Sequence, residues 1–483
     1  MTQTYASRLT THEYEAVIGL ECHVQLATAS KMFCGCPTDY AGAAPNSHVC
    51  PICLGMPGVL PVINRKAVEY TLLTGLALNA DIPAATKFDR KNYPYPDLVK
   101  GYQISQYDLP LVKGGWLEIT SEDGQPRRIG LERVHLEEDT GKLTHTTDGS
   151  LVDFNRSGVP LMEMVSRPEL RSPAEARAYL QKLRAILRTL GVSDAEMAKG
   201  QLRCDVNVSL RPVGQQTLGT KVEIKNLNSF RSVFRALEFE IGRQSKLLED
   251  GERITQETRG WVEDRAVTVS QRTKEEAHDY RYFPEPDLPP LFVERRWLDG
   301  LRSRLPELPD ARRGRYMQAF GLGAYDAEQL STDTWTAAFF EATIAAGAEA
   351  KKAAKWIQND LARLRWDSGQ DGQLGPAGLA ELIGLVDTGS VSVSAARQIL
   401  AAAFASGKPP RSLVEELGLQ QVSDTSALED AVAVAIEANP AAVADYRAGK
   451  ATAINFLKGQ VMRATRGKAN PSVVEDVLRK HLG

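Results

Sequence analysis

Five short segments in the first half of the chain alternate strictly between apolar and polar residues, and the polar face of each carries a carboxylate, in some cases with a cation. The clearest is Val17–Leu26, where Ile18, Leu20, Cys22, Val24 and Leu26 share one face and Glu21, His23 and Gln25 the other. A period of two is the strand period, so one face must meet a core while the other stays free. Gln201–Leu210 repeats the scheme with Arg203, Asp205, Asn207 and Ser209, and Lys221–Lys225 repeats it with Glu223 and Lys225. Glu137-Glu138-Asp139 and Glu163 add further acids. The pattern predicts an α+β domain whose antiparallel sheet gathers Glu, Asp, His and Lys on one face. Such a face is a platform for metal ions and the phosphates of a nucleotide.

At 483 residues the chain is long enough for two or three domains with ample core. Hydrophobic content of 43% and charged content of 25% are ordinary for a soluble globular protein. No apolar run approaches the roughly 18 residues that a bilayer span needs. Met1–Thr11 lacks the basic flank and apolar stretch of a secretory signal, which points to the cytoplasm. The net charge of −3 decides nothing about nucleic acid, but the end of the chain is basic. Residues 444–483 hold Arg447, Lys450, Lys458, Arg463, Arg466, Lys468, Arg479 and Lys480 against Asp445, Glu475 and Asp476. Four of the six cysteines, Cys34, Cys36, Cys50 and Cys53, form C-x-C-x13-C-x2-C, a spacing that supplies four thiolates to one structural zinc ion. Cys22 and Cys204 fall on apolar strand faces and read as small core residues.

Along the chain, residues 1–293 mix alternating strands, Gly/Pro turns and three helical patterns, Asn64–Leu78, Ser172–Leu190 and Ser229–Leu248. Tyr282-Phe283-Pro284-Glu285-Pro286-Asp287-Leu288-Pro289-Pro290 continues neither helix nor central strand and closes this domain. Residues 294–407 turn to Ala/Leu-rich helical periodicity over Arg302–Phe320, Thr332–Ala346, Ala350–Leu364, Gly378–Thr388 and Ser394–Ser406. Lys408-Pro409-Pro410 breaks it, and residues 408–483 make a small helical tail.

Glu21 and His23 at i, i+2 can share a divalent ion, although a satisfied surface pair has the same spacing. Glu163 says more. It lies inside the apolar run Val159–Val165, where an unpaired carboxylate costs several kcal/mol, so a metal or basic partner is the simplest compensation. Phe88–Tyr93 and Gly101–Asp108 are dense in cations, amides and tyrosines, which hold phosphates and stack on bases. There is no Walker loop, no G-x-G-x-x-G after a strand and no G-x-S-x-G elbow, so any nucleotide site uses another architecture.

Taken together, Ile18-Gly19-Leu20-Glu21-x-His23, Phe88–Tyr93, Tyr102–Gln106, His135–Asp139 with Gly141-Lys142, Arg203–Asn207, Lys225–Phe230 and Asp279–Asp287 resemble the B subunits of bacterial aspartyl/glutamyl-tRNA(Asn/Gln) amidotransferases. The likeness continues through Phe456–Met462 and Thr465–Pro471 and covers nearly the whole chain. It implies a cradle related to glutamine synthetase and guanidino kinases, a helical domain, and a tail that binds tRNA. It also implies an ATP- and magnesium-dependent ligase. The side-chain carboxylate of misacylated Glu-tRNA(Gln) or Asp-tRNA(Asn) is phosphorylated, then amidated with ammonia from a glutaminase A subunit tied on by a small C subunit. By match and by face, Glu21, His23, Glu138 and Glu163 are the expected magnesium ligands, with Glu137, Asp205 and Glu223 at a second site. Lys91, Glu138 and Glu163 are expected to act in catalysis, and Arg90, Lys91, Lys225 and Arg281 to hold the nucleotide. Strict alternation places Glu137 and Glu138 on opposite faces, so their convergence needs a strand end or bulge. Pro94, Val99, Arg167 and Gln271 depart from the family pattern, Pro94 standing where an aromatic is usual beside Lys91. The competing reading, a non-catalytic tRNA-binding zinc scaffold, leaves Glu163 and the repeated acidic faces unexplained.

Overall fold

The computed structural model describes residues 14–273, 280–420, 425–465, 469 and 471–483. Met1–Thr11, Asp279, Arg466 and Lys468, all used in the sequence reading, lie outside them. The chain forms two compact units, Met1–Leu308 and Pro309–Gly483.

The first unit is built on a nine-stranded sheet. Its order runs Val267–Thr273, Glu257–Val262, Val222–Lys225, Leu202–Pro212, Tyr14–Gln25, Pro160–Ser166, Pro126–Glu138 and Val112–Lys113, with Trp116–Thr120 also on Pro126–Glu138. Every pairing is antiparallel except that of Val222–Lys225 with Glu257–Val262. Tyr14–Gln25 pairs with Leu202–Pro212 along one edge and Pro160–Ser166 along the other, and its alternation sends one face into the core. Ile18, Leu20, Cys22 and Val24 enter the core with Cys204, Val206, Val208 and Ile224. Cys22 and Cys204 face each other in register with their sulfurs 3.9 Å apart, both as free thiols.

Helices Arg65–Ala77, Pro173–Thr189 and Phe230–Glu249 complete that core with Leu72, Leu183, Leu237 and their neighbours. Each begins where a short polar side chain satisfies free N–H groups. Asn64 Oδ1 accepts from Lys66 N at 2.9 Å, Ser172 Oγ from Glu175 N at 3.2 Å, and Ser229 Oγ from Ser232 N at 2.9 Å. A small sheet of Phe283–Pro284, Asp89–Asn92 and Tyr102–Ser105 brings the two cation- and tyrosine-rich motifs together.

The compact unit extends past the expected boundary at residue 293, because Leu301 of helix Arg295–Arg302 is buried in the first core. The expected helix Arg302–Phe320 is interrupted: Arg295–Arg302 and Pro309–Phe320 are separate, with Pro306 in the break and Pro309 opening the second helix. In the second unit the helices gather around two apolar clusters. One runs from Tyr316 to Val414 and the other from Leu428 to Leu482. Leu413 and Val414 belong to the former, so the last cluster starts beyond residue 408. Among the described residues no helix is long and apolar enough to cross a membrane.

Candidate active site

Cross-strand register converts four distant residues into one row. Arg203 lies opposite His23, His23 opposite Glu163, and Glu163 opposite His135. Directly opposed residues share a face, so all four side chains stand on the polar side. His23 Nε2 is 3.4 Å from Glu163 Oε2 and 3.9 Å from Glu137 Oε1. Ligand atoms of His23, Glu137 and Glu163 lie within 4.8 Å of one another. One imidazole nitrogen with carboxylate oxygens from two acids suits a hard divalent cation. Burial opposes the imidazolium of His23, but Glu163, then Glu137 and Asp205, lift it to about 9. Burial likewise raises Glu163, and the two histidines outweigh it and hold the carboxyl well below its ordinary value.

A second acidic group adjoins the first on the same face. Glu21 lies opposite Asp205, and Glu223 opposite Asn207. Lys225 Nζ reaches Asp205 at 2.8 Å and Glu223 at 3.3 Å, and Asn207 Nδ2 donates to Glu21 at 2.8 Å. Burial lowers the Lys225 ammonium less than Asp205 and Glu223 raise it, so it stays charged.

The small sheet brings Lys91 to the other side of the row. Burial works against its charge, and Glu137, Tyr282 and Glu163 more than restore it. Its Nζ lies 5.0 Å from the Tyr280 ring and 5.9 Å from the Tyr93 ring, so Pro94 has not cost Lys91 its aromatic neighbours. Arg90 is engaged elsewhere. It donates to Glu285 at 2.7 and 2.8 Å and lies over Tyr102 at 4.3 Å. Arg281 has a positive φ of 44°, an exposed side chain, and a carbonyl that accepts from Asn92 Nδ2 at 2.8 Å.

Glu138, the last residue of its strand, stands apart from the group of His23, Glu137 and Glu163. The strand stays regular through Glu137 and Glu138, so no bulge turns both carboxylates to one face. Glu138 Oε1 accepts instead from Lys100 Nζ at 2.5 Å and Ile104 N at 2.9 Å, beside a cavity of about 230 Å³. Asp139, next in sequence, is buried and accepts from Gln25 Nε2 at 2.8 Å and Arg203 Nη2 at 2.9 Å. Burial raises its carboxyl, but Arg203 and Arg156 carry it below the ordinary range. His135, 3.3 Å from Glu163, was not singled out from sequence, although it shares the alternation of Glu137 two positions on.

The sulfurs of Cys34, Cys36, Cys50 and Cys53 also lie within 4.8 Å of one another, a set that can hold one soft metal ion. Lys31, fully buried, donates to His48 O at 2.8 Å and sits 3.6 Å from Cys53 Sγ. The Cys34 thiol, donating to Cys53, pulls the latter's pKa down.

Residues 16–299, which carry this acidic row, match the GatB/GatE catalytic domain, and residues 338–482 match the GatB domain. The B subunit of the aspartyl/glutamyl-tRNA(Asn/Gln) amidotransferase of Moorella thermoacetica is 56% identical over 479 residues, covering 97% of this chain and 100% of the relative. Its namesakes from Carboxydothermus hydrogenoformans and Roseiflexus castenholzii are each 53% identical, covering 97% of this chain and 99% of their own length. The chain belongs to the family of these amidotransferase B subunits.

Proposed function

We propose that the chain catalyses ATP-dependent amidation of misacylated Glu-tRNA(Gln) or Asp-tRNA(Asn), as the B subunit of an enzyme completed by a glutaminase A subunit with a small C subunit. A side-chain carboxylate oxygen attacks the γ-phosphorus of ATP, and the bond to the leaving ADP oxygen breaks. The ammonia lone pair then attacks the acyl carbon, phosphate departs with its oxygen, and the nitrogen sheds a proton. The single observation behind this reading is the pair of adjacent acidic groups on one sheet face, His23/Glu137/Glu163 and Glu21/Asp205/Glu223, flanked by Lys91 and Lys225.

We assign His23, Glu137 and Glu163 to one magnesium ion and Glu21, Asp205 and Glu223 to a second. Magnesium bound there neutralises the repulsion between the attacking carboxylate and the phosphates. Lys91 keeps its charge in a half-buried place and stabilises the negative charge of the transferred group. Lys225, already between two carboxylates, is the cation that a phosphate meets on the other side. Arg90, locked onto Glu285, positions the small sheet and the lysine beside it. Glu138 is assigned to that framework, with Lys100 as its partner. A single-faced sheet of this kind supports the likeness to glutamine synthetase and guanidino kinases. The cysteine quartet fits zinc with a structural role. We divide the work among a catalytic cradle, a helical connection and a tRNA-binding tail, in the cytoplasm where translation runs.

The test is ADP formation by the assembled enzyme, with and without misacylated tRNA. Glu163→Gln keeps shape and removes a charge, and is expected to abolish tRNA-stimulated ADP formation while tRNA still binds. Wild-type rates in that variant would overturn the assignment.

A further inference from the structure

Four tyrosines from three segments form a continuous wall beside the carboxylate row. Lys91 is its inner end. Tyr93 meets Tyr280 edge-on at 5.7 Å, Tyr280 meets Tyr282 edge-on at 6.2 Å, and Tyr282 stacks on Tyr107 at 4.4 Å with the rings 12° apart. The first three rings are partly buried, whereas Tyr107 is 55% exposed. Tyr107 is nonetheless held in place: its N–H donates to Asp89 Oδ2 at 3.0 Å, and buried Asp89 is ion-paired with Lys87. The wall thus ends in a preset stacked pair, fixed on its inner side and accessible to solvent at the outer ring. A further flat ring can extend that stack without new ordering cost.

We infer that Tyr107 receives the adenine of the terminal nucleotide of tRNA, the nucleotide that carries the esterified glutamyl or aspartyl group. The acyl arm then follows the tyrosines inward to Lys91 and the row. This inference rests on the amidation reading. ATP also carries adenine, and the strand order decides between the two sources. Lys225, Asp205 and Glu223 lie on strands to one side of Tyr14–Gln25, whereas Glu163, Glu137 and the Lys91 wall lie to the other. On the amidation reading Lys225 meets the phosphates that stay with the nucleotide and Lys91 only the transferred γ-phosphoryl, so the rest of ATP lies on the first side and the aromatic side is left for the acceptor end.

In the assembled three-subunit enzyme, Tyr107→Ala is expected to raise KM for Glu-tRNA(Gln) about tenfold, the scale of one base–aromatic stack. The kcat at saturating tRNA and the KM for ATP are expected to hold, and Tyr107→Trp is expected to restore the tRNA value. Replacing the terminal adenine by cytosine should weaken wild type and have little further effect in Tyr107→Ala. An unchanged KM for tRNA, fully additive losses, or a raised KM for ATP would each overturn the inference. Affinity for uncharged tRNA with and without its terminal adenosine, read without turnover, separates this inference from the amidation reading. A terminal-adenosine contribution that vanishes in Tyr107→Ala supports the wall even if no amide forms, and a contribution unaffected by the substitution refutes it.

Discussion

Glu137 and Glu138 share a side chain and a neighbourhood in sequence, yet the strand turns them to opposite sides. Glu137 joins His23 and Glu163, while Glu138 holds Lys100. Glu137→Gln is therefore expected to weaken Mn²⁺ binding, measured by electron paramagnetic resonance as a probe of the magnesium site. Glu138→Gln should keep that affinity and lose about 2 kcal/mol of stability in urea unfolding, the scale of a hydrogen bond to a charged group. Equal Mn²⁺ losses in both would contradict the face assignment. Asp139 carries a pH signature. Its folded pKa is depressed, so its contribution is complete above the ordinary carboxylate value of about 3.9 and is lost as pH falls through the lower folded value. Asp139→Asn should lower stability at neutral pH and flatten the decline below about pH 4. Parallel pH profiles of the urea midpoint would count against this. Alternation identified Glu21, His23, Asp205 and Glu223 as one face from sequence alone, because period two is a local property. His135 obeys the same rule two positions before Glu137, but only the register that sets it opposite Glu163 brings it into the row. The tyrosine wall was not legible, since its rings come from residues 93, 107, 280 and 282 and meet only through tertiary packing.

Among elements, helix starts were the most readable, because Asn64, Ser172 and Ser229 announce them chemically. The helix break between Arg302 and Pro309 was also written in the sequence, in Pro306, but apolar periodicity ran across it. The cysteine knuckle shows how an element can disclose its charge. Among the described residues buried Lys31 has carbonyls and Cys53 as its partners, and no carboxylate. The Cys53 thiol, held below its ordinary value, is the acidic group nearest that amine, at 3.6 Å. Elemental analysis should find about one zinc per chain. Cys36→Ser should lose the ion and lower the thermal midpoint, because Met32 N donates to Gly158 O at 2.7 Å and ties the knuckle to the approach of the Glu163 strand. A metal-free wild type of undiminished stability would refute the site.

Across the molecule, separate apolar clusters set where the chain can be cut. Leu413 and Val414 complete the first helical cluster, and Leu428 opens the next. Truncation after residue 420 should therefore leave the remaining clusters whole, whereas a cut at 408 would remove Leu413 and Val414. The truncated protein is expected to bind tRNA more weakly and with a shallower salt dependence, because phosphate contacts release counterions. Several tail cations are already paired, Lys458 with Glu475 at 2.7 Å and Lys480 with Glu429 at 3.1 Å, so the change in slope should be smaller than the count of Lys and Arg suggests. An unchanged slope in a folded truncation would show that the tail cations are a solvated face.

The central strand Tyr14–Gln25 takes its two neighbours from Pro160–Ser166 and Leu202–Pro212. During synthesis both its edges therefore wait for more than a hundred later residues, on the order of 10 s at ordinary elongation rates. Throughout that interval an alternating, half-apolar strand stands with unpaired backbone on both sides, the condition most open to pairing with another chain. Nascent copies crowded on one message should therefore need a holding chaperone until roughly residue 210 has emerged.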